Sequence, residues 1–196
     1  MRIVGGRHRG RALQAPEGAE VRPTSDRARE SLFNILEHGR FSRDGISVLR
    51  GAAVLDAFAG TGALGFEALS RGAERLTCID DSAEAVAAIK ANARTLGELA
   101  RVAIFRADAT RPPSPPVGPA GKPCSLVFLD PPYGSGLGAP ALAALAAAGW
   151  IADGAICVLE LGLREAFAAP NGFEIVDERR YGKARLVLLR RVAGQA

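Results

Sequence analysis

The chain has 196 residues, 48% hydrophobic and 23% charged, with a formal net charge of +4. That length predicts one domain, with a small appendage at most, and allows a sizeable buried core. The composition is ordinary for a soluble globular protein, no apolar run reaches the length of a bilayer span, and the start, Met1-Arg2-Ile3-Val4-Gly5-Gly6-Arg7, lacks the apolar segment of a secretory signal.

Cys78, Cys124 and Cys157 are far apart and form no CxxC pair. They read as reduced, mostly buried thiols of a cytoplasmic protein. With only His8 and His38, a histidine-built metal site is not expected. The charge is unevenly placed. Residues 1–50 carry ten arginines, no lysine and six acids, which accounts for the whole excess. The planar fork of arginine bonds two phosphate oxygens at once. This N-terminal stretch reads either as a solvated charged face or, preferred here, as a polyanion-contacting one.

Residues 2–14 predict two short strands around a glycine- and arginine-rich turn, a hairpin that would project Arg7, Arg9 and Arg11. After a loop from Pro16 to Val21, Thr24 or Ser25 can cap a helix that reaches Leu36. Leu32, Phe33, Ile35 and Leu36 give it an apolar face, and Arg22, Arg27 and Arg29 lie near its start. It would seal one end of the domain, and its start could help close a ligand pocket. Past a polar connection, 52–56 predicts a buried strand, Phe66 to Arg71 a helix, 75–79 a second strand, Ala83 to Leu96 a helix and 101–106 a third strand. Residues 111–123 contain six prolines. They forbid regular helix or central strand and predict an exposed, partly extended loop where a short helix could otherwise sit. A strand over 125–129, a helix from Ala139 to Ala148, a strand over 155–160 and a terminal hairpin of 173–180 with 184–190 follow. Strands alternating with helices predict an α/β sheet covered on both faces.

Gly60-Thr61-Gly62-Ala63-Leu64-Gly65 fits G-x-G-x-x-G after a strand and before a helix, so its backbone can approach a ligand closely. Asp80 ends the next strand at a spacing suited to ribose hydroxyls. A dinucleotide and a nucleoside-like ligand both satisfy this much. Asp56 could orient an amino-acid ammonium, and Asp108 could accept from an adenine amino group. Each acid alone could be a capping residue. Three acids at three consecutive strand ends on one sheet edge favour a cofactor site, that of S-adenosylmethionine. Asp130-Pro131-Pro132-Tyr133 follows the fourth strand and is stiffened by two prolines. Alone it is equally a rigid surface turn or a site. Beside the three acids it reads as a site.

Asp56-Ala57-Phe58-Ala59-Gly60-Thr61-Gly62 resembles the first motif of class I S-adenosylmethionine-dependent methyltransferases. Asp130-Pro131-Pro132-Tyr133 resembles the [D/N/S]-P-P-[Y/F/W] motif of methyltransferases acting on exocyclic base nitrogens. Met1 to Gly6 with Arg9-Gly10-Arg11, the stretch Arg22 to Phe33, and Tyr181-Gly182-Lys183-Ala184 resemble the RsmD family of bacterial small-subunit (16S) ribosomal RNA guanine-N2 methyltransferases, over almost the whole chain. The proline-rich 111–123 segment departs from that family, which usually has ordinary helix-loop sequence there. The resemblance implies a Rossmann-like class I methyltransferase fold, with a seven-stranded, mostly parallel sheet whose last strand is antiparallel. It implies S-adenosyl-L-methionine held by Asp56, Phe58, Ala59, Gly60, Gly62, Asp80, Asp81, Asp108 and Ala109. Asp130, Pro131, Pro132 and Tyr133 would be catalytic, and Arg7, Arg9, Arg11, Arg22 and Arg27 would contact RNA. Residues 1–40 would form an RNA-contacting extension and 41–196 the catalytic domain. The expected partner is ribosomal RNA or the assembling small ribosomal subunit, with no membrane or metal, and a monomer is expected. Three other readings remain. An adenine-N6 methyltransferase would share every motif, though no separate DNA-reading domain is present. A nicotinamide-dependent oxidoreductase gives no reason for the Asp130 motif. A non-catalytic RNA-binding assembly factor gives none for the intact acids.

Overall fold

Seven strands form one sheet in the computed structural model, which describes residues 1–15, 26–38, 41 and 46–193. The strands are β1 (Ala53–Ala57), β2 (Arg75–Asp80), β3 (Val102–Arg106), β4 (Cys124–Leu129), β5 (Ile151–Gly162), β6 (Phe173–Tyr181) and β7 (Ala184–Arg191), in the spatial order β3-β2-β1-β4-β5-β7-β6. β1 to β5 pair in parallel, and β7 runs antiparallel to both its neighbours. The strand order reverses between β1 and β4, which opens a crevice beyond their C-terminal ends.

Both faces of this sheet are buried, so its central strands read as continuous apolar runs. Val54, Leu126, Phe128, Ile156 and Val158 pack on one side. Leu55, Ala57, Val127, Leu129 and Leu159 pack on the other. The first side is covered by α1 (Asp26–His38), α2 (Ala63–Ser70) and α3 (Ala83–Leu96). α1 buries Leu32, Phe33 and Leu36 there, and Phe33 meets Phe128 with ring centroids 5.6 Å apart. α3 has the predicted bounds because local signals set both ends. The Ser82 hydroxyl accepts from the Ala85 amide, and Gly97 takes the left-handed conformation at the other end. The second side is covered by α4 (Gly138–Ala147) and by Trp150. The Trp150 indole stands edge-on to Phe105 and donates to the Pro113 carbonyl at 2.7 Å. The proline-rich 111–123 segment, which has a single helical turn at Pro119–Gly121, is thus tied to this face rather than wholly exposed.

Two expected elements differ. β5 begins at Ile151, because the turn-like Asp153-Gly154 is absorbed as a bulge where the β4–β5 register shifts. Residues 2–14 form one antiparallel bridge, Arg2 to Ala12, around a helical turn at Gly6–His8, instead of two strands. This arm does not project. Its amides bond acceptors on α2, Val4 to the Glu67 carboxylate at 2.8 Å and His8 to the Ser70 hydroxyl at 2.9 Å. A Cβ on Gly6, whose φ is +70°, would lie 2.0 Å from the Ser70 carbonyl oxygen. Asn92 on α3 holds both the amide and the carbonyl of Gln14. Ile3 and Leu13 are buried in the same core as α1 and β1. The cap expected at Thr24 or Ser25, the loop from Pro16 to Val21, and Arg22 lie outside the described residues. Among the described residues, no helix is long and apolar enough to cross a membrane.

Candidate active site

The crevice between β1 and β4 gathers the acids that end the strands. Phe58, just past β1, has φ +59° and is the only non-glycine with positive φ among the described residues. Such a conformation marks a site where surrounding bonds hold the backbone. Here the Gly60 amide donates to Asp80 Oδ2 at 2.8 Å and the Gly65 amide to Asp56 Oδ2 at 2.9 Å. The glycine loop is therefore drawn onto carboxylates at the ends of β1 and β2. Gly65 has no room for a side chain. A Cβ there would lie 2.4 Å from Leu76 and 3.1 Å from Asp56 Oδ2.

Asp56 is buried, and its carboxyl is pushed up to about 8, first by that burial and then by the negative fields of Asp130 and Asp80. These three acids therefore share one corner of the sheet, an environment that favours a cation. A cleft of about 220 Å³ adjoins it. Phe58, Ile79, Ala107, Ala109 and Leu137 form its apolar walls, and Asp80, Asp81 and Asp108 its acidic rim. Asp108 is partly committed. Its Oδ1 accepts from both the amide and the hydroxyl of Thr110, and the hydroxyl bond is the main reason its carboxyl is lowered. Asp108 Oδ2 lies 3.5 Å from Arg111.

Asp130 follows β4, and its amide donates to the Ala57 carbonyl at 3.4 Å, so the motif starts beside the end of β1. Burial raises the Asp130 carboxyl well above the ordinary range, and the field of Glu160 adds to this. Pro131 is buried and Pro132 exposed. Tyr133 is 41% exposed, while its hydroxyl donates to Glu160 Oε1 at 2.5 Å. The turn beyond it is pinned by Glu165 Oε2, which accepts from the amides of Gly134 (2.9 Å) and Gly162 (3.2 Å).

Sequence reasoning missed Glu160 and Glu165. Glu160 follows the apolar run Ile156–Leu159 near the C-terminal end of β5, the same sheet edge as Asp56 and Asp80, so the same rule would have found it. Glu165 carries no such local signal. The arm arginines lie elsewhere. α2 leaves the crevice edge and runs back along the sheet, so Ser70 and the arm tip it holds sit at the opposite edge. There Arg7 pairs with buried Glu98 at 2.5 Å, and Arg11 donates to the Thr95 carbonyl at 3.3 Å. Arg9 is exposed beside them. Arg27 is exposed on the first turn of α1.

A family model described as conserved hypothetical protein 95 matches residues 1–190. The ribosomal RNA small subunit methyltransferase D of Escherichia coli (strain K12) is 36% identical over 98% of this chain and 91% of its own. The chain belongs to this methyltransferase family. The member from Haemophilus influenzae is 31% identical over 93% of this chain and 89% of its own. Among solved structures, an Escherichia coli protein described as a methyltransferase superposes with a TM-score of 0.80 at 33% identity, covering 99% of each chain. The seven-stranded sheet is therefore the family fold, and membership makes the chain an enzyme of methyl transfer.

Proposed function

We propose that the protein transfers a methyl group from S-adenosylmethionine to the exocyclic 2-amino group of a guanine in small-subunit (16S) ribosomal RNA. The observation that carries this reading is the Asp130-Pro131-Pro132-Tyr133 turn at the switch crevice, bonded to the end of β1 and next to buried Asp56 and half-buried Asp80. The Escherichia coli relative, a ribosomal RNA small subunit methyltransferase, supports the RNA as substrate. The donor set suits the cofactor. Apolar walls at Phe58, Ile79 and Ala107 fit a purine, and Asp80 and Asp81 at the rim can accept from ribose hydroxyls. The acid corner at Asp56 suits the positive amino-acid end.

When bound, S-adenosylmethionine supplies a methyl group already activated on sulfur. The residues then have to position a poor nucleophile, because the guanine amino lone pair is delocalised into the ring. The Asp130 carboxylate and the Pro131 carbonyl accept hydrogen bonds from that amino group and fix its direction. They raise its electron density for an in-line displacement. The half-exposed Tyr133 ring, anchored through its hydroxyl to Glu160, stacks on a base drawn out of its helix. The test is mass-spectrometric mapping of methylated nucleosides after incubation with S-adenosylmethionine and small-subunit RNA, free or partly assembled. N2-methylguanosine is expected. N6-methyladenosine, or no methylated nucleoside, would overturn the assignment.

A further inference from the structure

We infer that the phosphate-gripping surface flanking the target base is formed by the β6–β7 hairpin tip and the turn after β5, through Arg164, Arg180 and Lys183, with Arg27 at its border. This rests on reading the chain as an RNA methyltransferase and says which face the RNA covers.

The sheet pairing locates these residues. Gly162 at the end of β5 pairs with Ala184 at the start of β7, so the tip at Gly182-Lys183 lies on the catalytic edge. The Leu163 amide donates to the Lys183 carbonyl at 2.9 Å, which sets Arg164 beside the tip. Glu165 bonds both Gly162 and Gly134, so the same turn abuts the one that follows Asp130 to Tyr133. On the far side the Tyr181 hydroxyl meets the Ser31 hydroxyl of α1 at 2.9 Å. Arg27 lies one helical turn before Ser31, on the same face.

Availability separates these cations from their neighbours. Arg164, Arg180, Lys183 and Arg27 are exposed, and none bonds or pairs with another side chain among the described residues. Arg185, opposite Arg180 in the ladder, is engaged by Glu178 and by the Glu165 carbonyl. Arg179 is paired with Asp177. The nearby acid Glu165 is turned onto two backbone amides through Oε2. A cluster of unpaired cations around a buried carboxylate pocket matches a nucleic-acid backbone, whose base must enter the pocket while its phosphates stay at the rim. The arm tip, with Arg9 and Arg11, is at the other edge of the sheet, where such an RNA would reach it only by wrapping round the molecule.

The test compares two charge-matched triple variants of the full chain binding an in vitro transcript of small-subunit ribosomal RNA across a salt series. One carries Arg164→Gln, Arg180→Gln and Lys183→Gln. The other carries Arg9→Gln, Arg11→Gln and Arg94→Gln, all at the arm end. Losing three phosphate contacts lowers the slope of log affinity against log salt by about 2. That loss is expected in the first variant, and less than half of it in the second. Equal slopes in the first variant and the parent chain, or a larger loss in the second, would overturn the inference. S-adenosylmethionine affinity, measured for both variants, should stay at the parent value, which separates lost RNA contacts from misfolding. The titration reads the RNA face whether or not methyl transfer occurs. Transfer of a labelled methyl group by the parent chain therefore tests the functional reading separately.

Discussion

In the proposed reaction, Asp130 and Glu160 are the two side chains on which the chemistry turns. If Asp130 and the Pro131 carbonyl aim the amino group, Asp130→Ala should lower the transfer rate by about a hundredfold or more. S-adenosylmethionine affinity should change little, because Asp130 does not line the cleft. A variant with near-normal turnover would remove Asp130 from its role. Glu160 acts through its neighbours. It anchors the Tyr133 hydroxyl, and its field helps hold the Asp130 carboxyl high. The ionised form of Asp130 is the better acceptor for the amino group, so activity should rise with pH as Asp130 loses its proton. Glu160→Gln keeps an acceptor for Tyr133 and removes the negative field. The Asp130 carboxyl then falls, and the acid limb of the rate profile should move to lower pH. An unmoved limb, measured in single turnover, would leave Glu160 as a packing residue only.

The arm is the element whose role the fold changes most. Ile3 and Leu13 are 1% and 5% exposed, and the carboxylate of fully buried Glu67 is satisfied in part by the Val4 amide. Burying two such side chains is worth on the order of 3–6 kcal/mol in all. Removing residues 1–14 should therefore lower the denaturant midpoint by a corresponding amount. An unchanged midpoint would mean that the arm only rests on the surface. The sequence made the parts legible where the deciding signals are local. The bounds of α3 follow from Ser82 and Gly97, and the apolar runs placed β1 to β4 within a residue, while β5 starts four residues before its run. It was silent where partners are distant. Glu67 and Glu98, which draw the arm down onto α2 and α3, are more than sixty residues away from it. The tie from Trp150 to Pro113 likewise depends on the fold bringing the β3–β4 connection against the start of β5. The acids Asp56 and Asp80 and the Asp130 motif were legible as a site, because each stands at a strand end. Glu160 joins them only through the β4–β5 pairing.

Across the whole molecule, the acid corner couples fold, cofactor and pH. Burial and the fields of Asp130 and Asp80 hold the Asp56 carboxyl at about 8, against an ordinary value of 3.8. Between those limits the folded chain binds a proton that the unfolded chain has released. The contribution of this group to stability is thus greatest in acid and declines as pH rises through that window. A ligand with a positive ammonium beside Asp56 reverses the preference, because it needs the ionised carboxylate. Binding S-adenosylmethionine below about pH 7 should therefore expel close to one proton, and affinity should climb by up to about tenfold per pH unit. Isothermal titration in two buffers of different ionisation enthalpy measures the proton directly. Asp56→Asn should abolish the release and flatten the pH dependence of affinity, whatever its effect on affinity itself. Buffer-independent heats in the parent chain would mean that the cofactor's cation does not meet Asp56, and that this buried carboxyl serves only to hold the Gly65 amide.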